Sequence, residues 1–355
     1  MTLSGWDGAG FGARVQAALD DFLDEQAAGL APLGDDAERL LAEARGVVTG
    51  GKRFRAAFCW WGHLAVAPPA DEAALVRACA ALELLHASAL VHDDLMDASD
   101  TRRGRPASHR GFEGAHRGAR WRGDPEQYGA AAAILLGDLL LSWSDELLRR
   151  CGLPLAQVAP ALEVFDRCRS EVIAGQFLDV SVQARGRADV DTAMTVLRYK
   201  SAKYSVERPL HVGAALAGAD AATLAALTAF GLPLGEAFQL RDDLLGVFGD
   251  PATTGKPAGD DLVEGKRTVL VALALDGASP EDAALLDRSL GTPLDEARVA
   301  ELRRVIADSG AHAQVEAVIE QLAETAVAAL RRGPFDPDAV QVLEELASAA
   351  TQRVV

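Results

Sequence analysis

Residues 71–97 read DEAALVRACAALELLHASALVHDDLMD. No glycine or proline interrupts them, and residues 73–91 carry apolar side chains at the three- and four-residue spacings of a helix. A helix is therefore expected from about 71 to 97. It closes on His92-Asp93-Asp94-Leu95-Met96-Asp97. Asp93 and Asp97 stand four residues apart, so their carboxylates share one helix face. Like charges at that spacing repel, and the C-terminal end of the helix dipole opposes both. A bound cation resolves the conflict. Hard carboxylate oxygens, with water and phosphate completing the shell, suit Mg²⁺.

Outward from this stretch the chain reads helical nearly throughout. Leu, Ala and Glu dominate, and alternating strand patterns are scarce. Breakers and caps mark helices at about 12–28, 36–47, 52–66, 129–150, 155–183, 189–218 (with a break near Ser201) and 221–248. Residues 98–127 are rich in Arg and Gly and read as a loop, as do 249–261. Shorter helices fill 262–355. No repeat or composition break divides the chain, so one all-α domain over 1–355 is expected.

The 355 residues hold 35 Lys plus Arg against 52 Asp plus Glu, a formal charge of −17. That balance disfavours a general nucleic-acid binder. Cys59, Cys79, Cys151 and Cys168 form no C-x-x-C pair and read as buried free thiols of a reducing compartment. Residues 1–25 lack a basic start followed by an apolar run. The apolar run 129–136 is too short to span a bilayer. A soluble cytoplasmic protein with no membrane span is expected.

A second acidic pair, Asp242-Asp243, lies late in another apolar helix, within Gln239-Leu240-Arg241-Asp242-Asp243-Leu244-Leu245-Gly246. Two such ends suggest carboxylates facing across a cavity and holding several Mg²⁺ ions. Cations recur beside them. Gly51-Lys52-Arg53-Phe54-Arg55 opens a helix, where free N–H groups favour phosphate. Arg102 and Arg103 follow the first acidic cluster, and Lys200-Ser201, Lys256 and Lys266 come later. Paired metal-binding ends plus cations fit a ligand bearing diphosphates.

These residues resemble the trans-isoprenyl diphosphate synthases. Residues 91–97 with Asp100-Thr101-Arg102-Arg103-Gly104 are similar to that family's first aspartate-rich motif, and 239–250 to its second. Gly50-Gly51-Lys52-Arg53-Phe54-Arg55, Gly175-Gln176-Phe177-Leu178-Asp179 and Tyr199-Lys200-Ser201-Ala202 match further segments in order. The matched stretch covers about 50–268. The resemblance implies a helical bundle around a deep apolar central cavity, and a homodimer. It implies head-to-tail condensation of isopentenyl diphosphate with an allylic diphosphate, with three Mg²⁺ ions per site when diphosphate is bound. By the same resemblance, Asp93 and Asp97 hold Mg²⁺ with Asp94 assisting, and Asp242 holds a further ion. Lys52, Arg55, His86 and Arg103 take isopentenyl diphosphate. Arg102, Lys200, Ser201, Gln239 and Lys256 contact the allylic diphosphate, and Lys266 faces phosphate. Bond ionisation needs electrostatic stabilisation and exclusion of water, not a nucleophilic triad.

The chain departs from the family at Gly246, where many relatives carry a third Asp. Asp250 is eight residues beyond Asp242, about 12 Å along an unbroken helix and too far to replace it. Ser201 stands for the usual Thr, and residues 111–127 match nothing in the family. Product length is expected to be set one to two turns below Asp93. Ser88 and Ala89 are small and let the chain pass, and Leu85 and Leu82 form a floor, which points to C20 geranylgeranyl diphosphate. Two other readings remain: a weakly active subunit of a heteromeric synthase, supported by Gly246, and a class I terpene cyclase.

Overall fold

The computed structural model describes residues 6–187, 189–249 and 259–352. Among them the secondary structure is helical apart from one two-stranded hairpin, β1 (Thr101–Arg102) against β2 (Arg105–Pro106). The all-α expectation holds. The chain forms two compact units. The first comprises Met1–Val164, Pro209–Asp220 and Asp336–Val342. The second comprises Phe165–Arg208, Ala221–Phe335 and Leu343–Val355.

The first unit is built on α4 (Glu72–Met96). Its N-terminus is capped by Asp71, whose carboxylate accepts from Ala74 N–H at 2.9 Å. Leu75, Leu82, Leu84 and Leu85 are each at most 3% exposed, and apolar residues surround the helix on all sides because it runs through a core. Around it pack α1 (Gly8–Leu30), α3 (Phe54–Leu64) and α6 (Pro125–Arg149). α2 (Asp35–Val48) joins α1 to the glycine turn before α3.

The Arg- and Gly-rich stretch 98–127 is not a loop. It contains the hairpin and α5 (Ser108–Ala119). Ser108, His109, Phe112 and His116 form its buried stripe. Glu113 pairs with Arg110 and Arg117 at 2.7 Å, three and four residues away. Two of the arginines, Arg110 and Arg117, therefore lie on the outer face of an amphipathic helix.

The second unit holds the greater part of α7 (Leu155–Arg185), then α8 (Val190–Leu197), which is capped by Asp189 accepting from Thr192 N–H at 2.7 Å. A ten-residue π-helix, Arg198–Glu207, follows. α9 (Arg208–Leu216) continues from it, its residues from Pro209 belonging to the first unit. The irregularity expected near Ser201 is thus a widened helix and not a break. α10 (Ala221–Phe248) carries the second acidic pair. The chain continues through α11 (Asp260–Glu264), α12 (Val269–Gly277), α13 (Pro280–Ser289), α14 (Glu296–Asp308), α15 (Ala311–Arg332) and α16 (Pro337–Thr351). Leu197, Leu244, Leu270, Leu302 and Ile306 belong to this unit's core. Arg241, next to Asp242, pins α10 to α15 and α16. It makes two 2.6 Å bonds to Glu316 and one of 2.9 Å to the Thr351 carbonyl.

α4 and α10 are both long and apolar enough to cross a membrane by length and composition, which the short run 129–136 had not suggested. The apolar window of α4 is 78% buried within the chain, as for a core helix. Cys59, Cys79, Cys151 and Cys168 are all free and buried, as expected.

Candidate active site

In the first unit the site begins at the turn before α3. Gly50 and Gly51 have φ of 75° and 88°, a region glycine enters without strain. A Cβ on Gly51 would come within 3.0 Å of the Arg103 guanidinium, which lies over this turn and donates to the Thr49 carbonyl at 3.1 Å. Arg53 follows with φ 53° and turns inward, 8% exposed. Its guanidinium bonds Glu83 of α4 at 3.1 Å, Gln16 at 2.5 Å and the Val48 carbonyl at 2.6 Å. The other Glu83 oxygen accepts from Ala56 N–H at 3.2 Å, in the first turn of α3. Lys52 stays exposed and Arg55 half-buried, on either side of this anchor.

The same corner collects positive charge. Burial, followed by the guanidiniums of Arg55, Arg103, Arg102 and Arg53, pushes the His86 imidazole well below its ordinary pKa. Arg103 is itself pushed down, by burial and then by Arg53. A cluster of this kind in a chain of charge −17 makes a local positive field that attracts anions.

Arg102 links this corner to the first acidic motif. Its Nε donates to both carboxylate oxygens of Asp94 at 2.9 and 3.1 Å, and its Nη2 reaches Asp94 as well. Asp94 is 3% exposed. It holds the hairpin against the end of α4, so its nearest work is to position Arg102. Asp93 and Asp97, half-buried, remain the pair on one face. Asp97 closes α4, its N–H donating to the Asp93 carbonyl at 2.8 Å.

Ser88 is buried and donates to the Gly137 carbonyl of α6 at 2.8 Å. Five residues from Asp93, it lies about 140° round the helix, on the side that packs against α6. Ala89 is half-buried and Leu85 is 3% exposed.

In the second unit, Lys200 and Ser201 sit on the π-helix. Such widened turns are frequent at functional sites. Close approach by two neighbours accompanies this one. A Cβ on Gly175 of α7 would overlap the Lys200 backbone, and one on Gly235 of α10 would meet the Ala202 carbonyl at 2.5 Å. Lys200 pairs with Asp179 at 2.6 Å, the last residue of Gly175-Gln176-Phe177-Leu178-Asp179. Arg198 pairs with Glu236 at 2.6 Å.

On α10, Gln239 donates to Asp243 at 2.8 Å. Burial, followed by the Asp261 carboxylate, pushes the Asp243 carboxyl up to about 8. Asp242 is half-buried beside it. Lys266 pairs with Glu264 at 2.5 Å and with Asp261 at 3.4 Å. Lys256 and Asp250 lie outside the described residues.

Among the described residues, no three His, Cys, Asp or Glu side chains form a ready-made metal cage. The donor set still fits Mg²⁺, which takes one or two carboxylates and fills its octahedron with water and substrate oxygens. Asp93 with Asp97 is such a pair, and Asp242 is a single such donor.

Sequence reading did not anticipate the roles of Arg53, Glu83 and Asp179. Glu83 did leave a signal, since a lone carboxylate inside an apolar helix needs a buried partner. Asp179 lay in a recognised segment without an assigned task.

Comparison with known proteins bears on the family and the fold. Residues 38–308 match the polyprenyl synthetase family. A solved geranylgeranyl pyrophosphate synthase from Corynebacterium glutamicum, complexed with isoprenyl diphosphate and magnesium, is 41% identical. It superposes with a TM-score of 0.96 over 98% of this chain and 100% of its own. A geranylgeranyl diphosphate synthase of Mycobacterium tuberculosis is 35% identical over 82% of this chain and 78% of its own. A geranylfarnesyl diphosphate synthase of Aeropyrum pernix is 30% identical over 87% of this chain and 92% of its own. With the motifs, the helical architecture and these likenesses in agreement, the chain belongs to the polyprenyl synthetase family of trans-prenyl diphosphate synthases.

Proposed function

We propose that this enzyme condenses isopentenyl diphosphate head to tail with C5 to C15 allylic diphosphates and releases all-trans geranylgeranyl diphosphate. The observation that carries the reading is the positive corner of Arg53, Arg55, Arg102 and Arg103 around His86, joined through the Arg102–Asp94 pair to the motif that carries Asp93 and Asp97. A cyclase handles one diphosphate and has no use for a second anion subsite; a chain-elongating enzyme needs one.

In this reading Arg55, Arg103, Lys52 and His86 hold the isopentenyl diphosphate. Arg102, held by Asp94, and Lys200, Ser201, Gln239, Lys256 and Lys266 serve the allylic diphosphate. Asp93, Asp97 and Asp242 hold Mg²⁺, three ions per site with diphosphate bound. Bound magnesium supplies positive charge to diphosphate oxygens as the allylic C–O bond ionises. Burial and the surrounding guanidiniums push the His86 imidazole well below its ordinary pKa, which favours a hydrogen-bonding role over an added charge. The reaction requires a cavity that excludes water from the reacting carbons, and the apolar side chains of α4 and its neighbours supply surface suited to line one. Because the family match runs through both units, residues 1–355 are read as one catalytic domain.

The relatives differ in named product, so length is argued from this chain's own residues. Ala89 lies one turn below Asp93, and Leu85 and Leu82 continue as a floor. Purified protein with Mg²⁺, isopentenyl diphosphate and C5, C10 or C15 primers is expected to yield mainly a C20 alcohol after dephosphorylation. Ala89→Phe is expected to shift the main product to C15. A wild-type product much longer than C20 would overturn the floor. No elongation by folded protein would favour the partner-subunit reading.

The enzyme is also read as a cytoplasmic homodimer. The four cysteines are all free and buried, which suits a reducing compartment. Large apolar side chains stand exposed on α6 (Ile134 47%, Leu135 64%) and on α7 (Ile173 55%, Phe177 74%, Val180 38%). Light scattering is expected to report a dimer for the wild type and a shift toward monomer for Phe177→Glu. A monomeric wild type would overturn this.

A further inference from the structure

Glu171, Gly175 and Asp179 stand at successive turns of α7 and share one face of it. All three meet the π-helix Arg198–Glu207 or the residue that follows it. Gly175 gives the backbone contact, since a Cβ there would overlap the Lys200 backbone. Asp179 takes the Lys200 ammonium at 2.6 Å. Glu171 lies one turn before the Gly175–Asp179 segment and grips the other end of the π-helix.

Both Glu171 oxygens accept from Arg208, one from Nε at 2.7 Å and one from Nη2 at 2.7 Å. Such two-point pairing fixes direction as well as distance. The Lys203 ammonium lies 3.5 Å from the same carboxylate and donates to Glu207 at 3.1 Å. Glu207 in turn accepts from Thr228 of α10 at 3.1 Å. Arg208 and Glu207 are 7% and 2% exposed. Burial alone would raise the Glu171 carboxyl, but Arg208 and then Lys203 outweigh it and hold it below its ordinary pKa. It is therefore a carboxylate at neutral pH. π-Helices occur mostly as single turns, so ten residues of one call for support from outside the helix. Arg198 ties its start to Glu236 of α10, and Glu171 ties its middle and end to α7. Lys200 lies between these ties.

We propose that Glu171 is a positioning residue for Lys200: by gripping Arg208 and Lys203 it seats the π-helix on α7 and sets where the Lys200 ammonium meets the allylic diphosphate. This rests on the reading of Lys200 as an allylic contact. The ammonium is a point charge on a flexible stem, so its reach depends on where its backbone is held.

The test is a double-variant cycle read by steady-state kinetics, with each substrate varied in turn. Glu171→Gln keeps the volume and loses the charge. It is expected to raise KM for the allylic primer about tenfold, since a misplacement of about 1 Å can cost up to about a hundredfold. KM for isopentenyl diphosphate is expected to change by less than about twofold, because Lys52, Arg55, His86 and Arg103 lie outside this network. Lys200→Ala is expected to raise the allylic KM at least as much. In the Lys200→Ala background, Glu171→Gln is expected to add less than about twofold, because its effect passes through the lysine. Lys203→Met leaves the Arg208 pair in place and is expected to act in the same direction by a smaller factor. It carries the same cycle if Glu171→Gln fails to fold. An unchanged allylic KM in Glu171→Gln, an equal rise in both KM values, or single effects that multiply in the double variant would overturn the proposal. If Lys200→Ala itself leaves the allylic KM unchanged, the reading of Lys200 falls, and this inference with it.

Discussion

Exchanging Asp93 for alanine is expected to lower the rate of prenyl transfer by about a thousandfold at saturating Mg²⁺, without lowering the melting temperature of the ligand-free protein. The two halves of that expectation have one cause. Asp93 stands at the C-terminal end of α4 with Asp97 one turn on, so both the helix dipole and its neighbour oppose its charge. Such a placement costs stability and is retained for what it binds. Steady-state kinetics and calorimetry on the same preparation check both halves. A variant that keeps more than a tenth of the wild-type rate would show that the first motif does not hold the essential metal. A variant that melts well below the wild type would show that Asp93 serves the fold.

Glu83→Ala is expected to do the opposite, destabilising the chain by about 3–5 kcal/mol, the usual cost of removing one partner from a buried ion pair. Arg53 and Glu83 are 8% and 6% exposed. Without Glu83 the Arg53 guanidinium would stay buried near Arg55 and Arg103, and the first turn of α3 would lose its acceptor at Ala56 N–H. Urea unfolding measures the loss, and Glu83→Gln is expected to fall between wild type and alanine. A loss under about 1 kcal/mol, the range of an exposed pair, would show that Arg53 is carried by Gln16 and the Val48 carbonyl instead.

Much of the architecture was legible from local pattern. α4 and α10 announce themselves through uninterrupted apolar spacing, and α10 was placed at 221–248, the limits it has. α5 escaped because its Arg and Gly content reads as loop, although Ser108, His109, Phe112 and His116 share one buried face. Most of that stripe is polar side chains buried by contact with α6, so apolar spacing alone does not mark it. The π-helix escaped for a related reason. The register of Arg198–Glu207 is tied to Gly175 and Gly235, which are distant in sequence and bring other helices within backbone contact.

The candidate site divides along the same line. The acidic pairs and the glycine-lysine-arginine turn are short and contiguous, so residue order alone exposes their chemistry. Which cations and carboxylates are committed to one another is not contiguous information. Arg53 to Glu83, Arg102 to Asp94, Lys200 to Asp179 and Arg208 to Glu171 are all encounters made by folding. Helical periodicity and side-chain chemistry act over a few residues; they settled the all-α class and pointed to metal-seeking helix ends and a diphosphate ligand. Ion pairs and steric fit act over a few ångströms regardless of sequence distance. Only the folded chain could therefore decide which charges anchor the site and which are left to meet substrate.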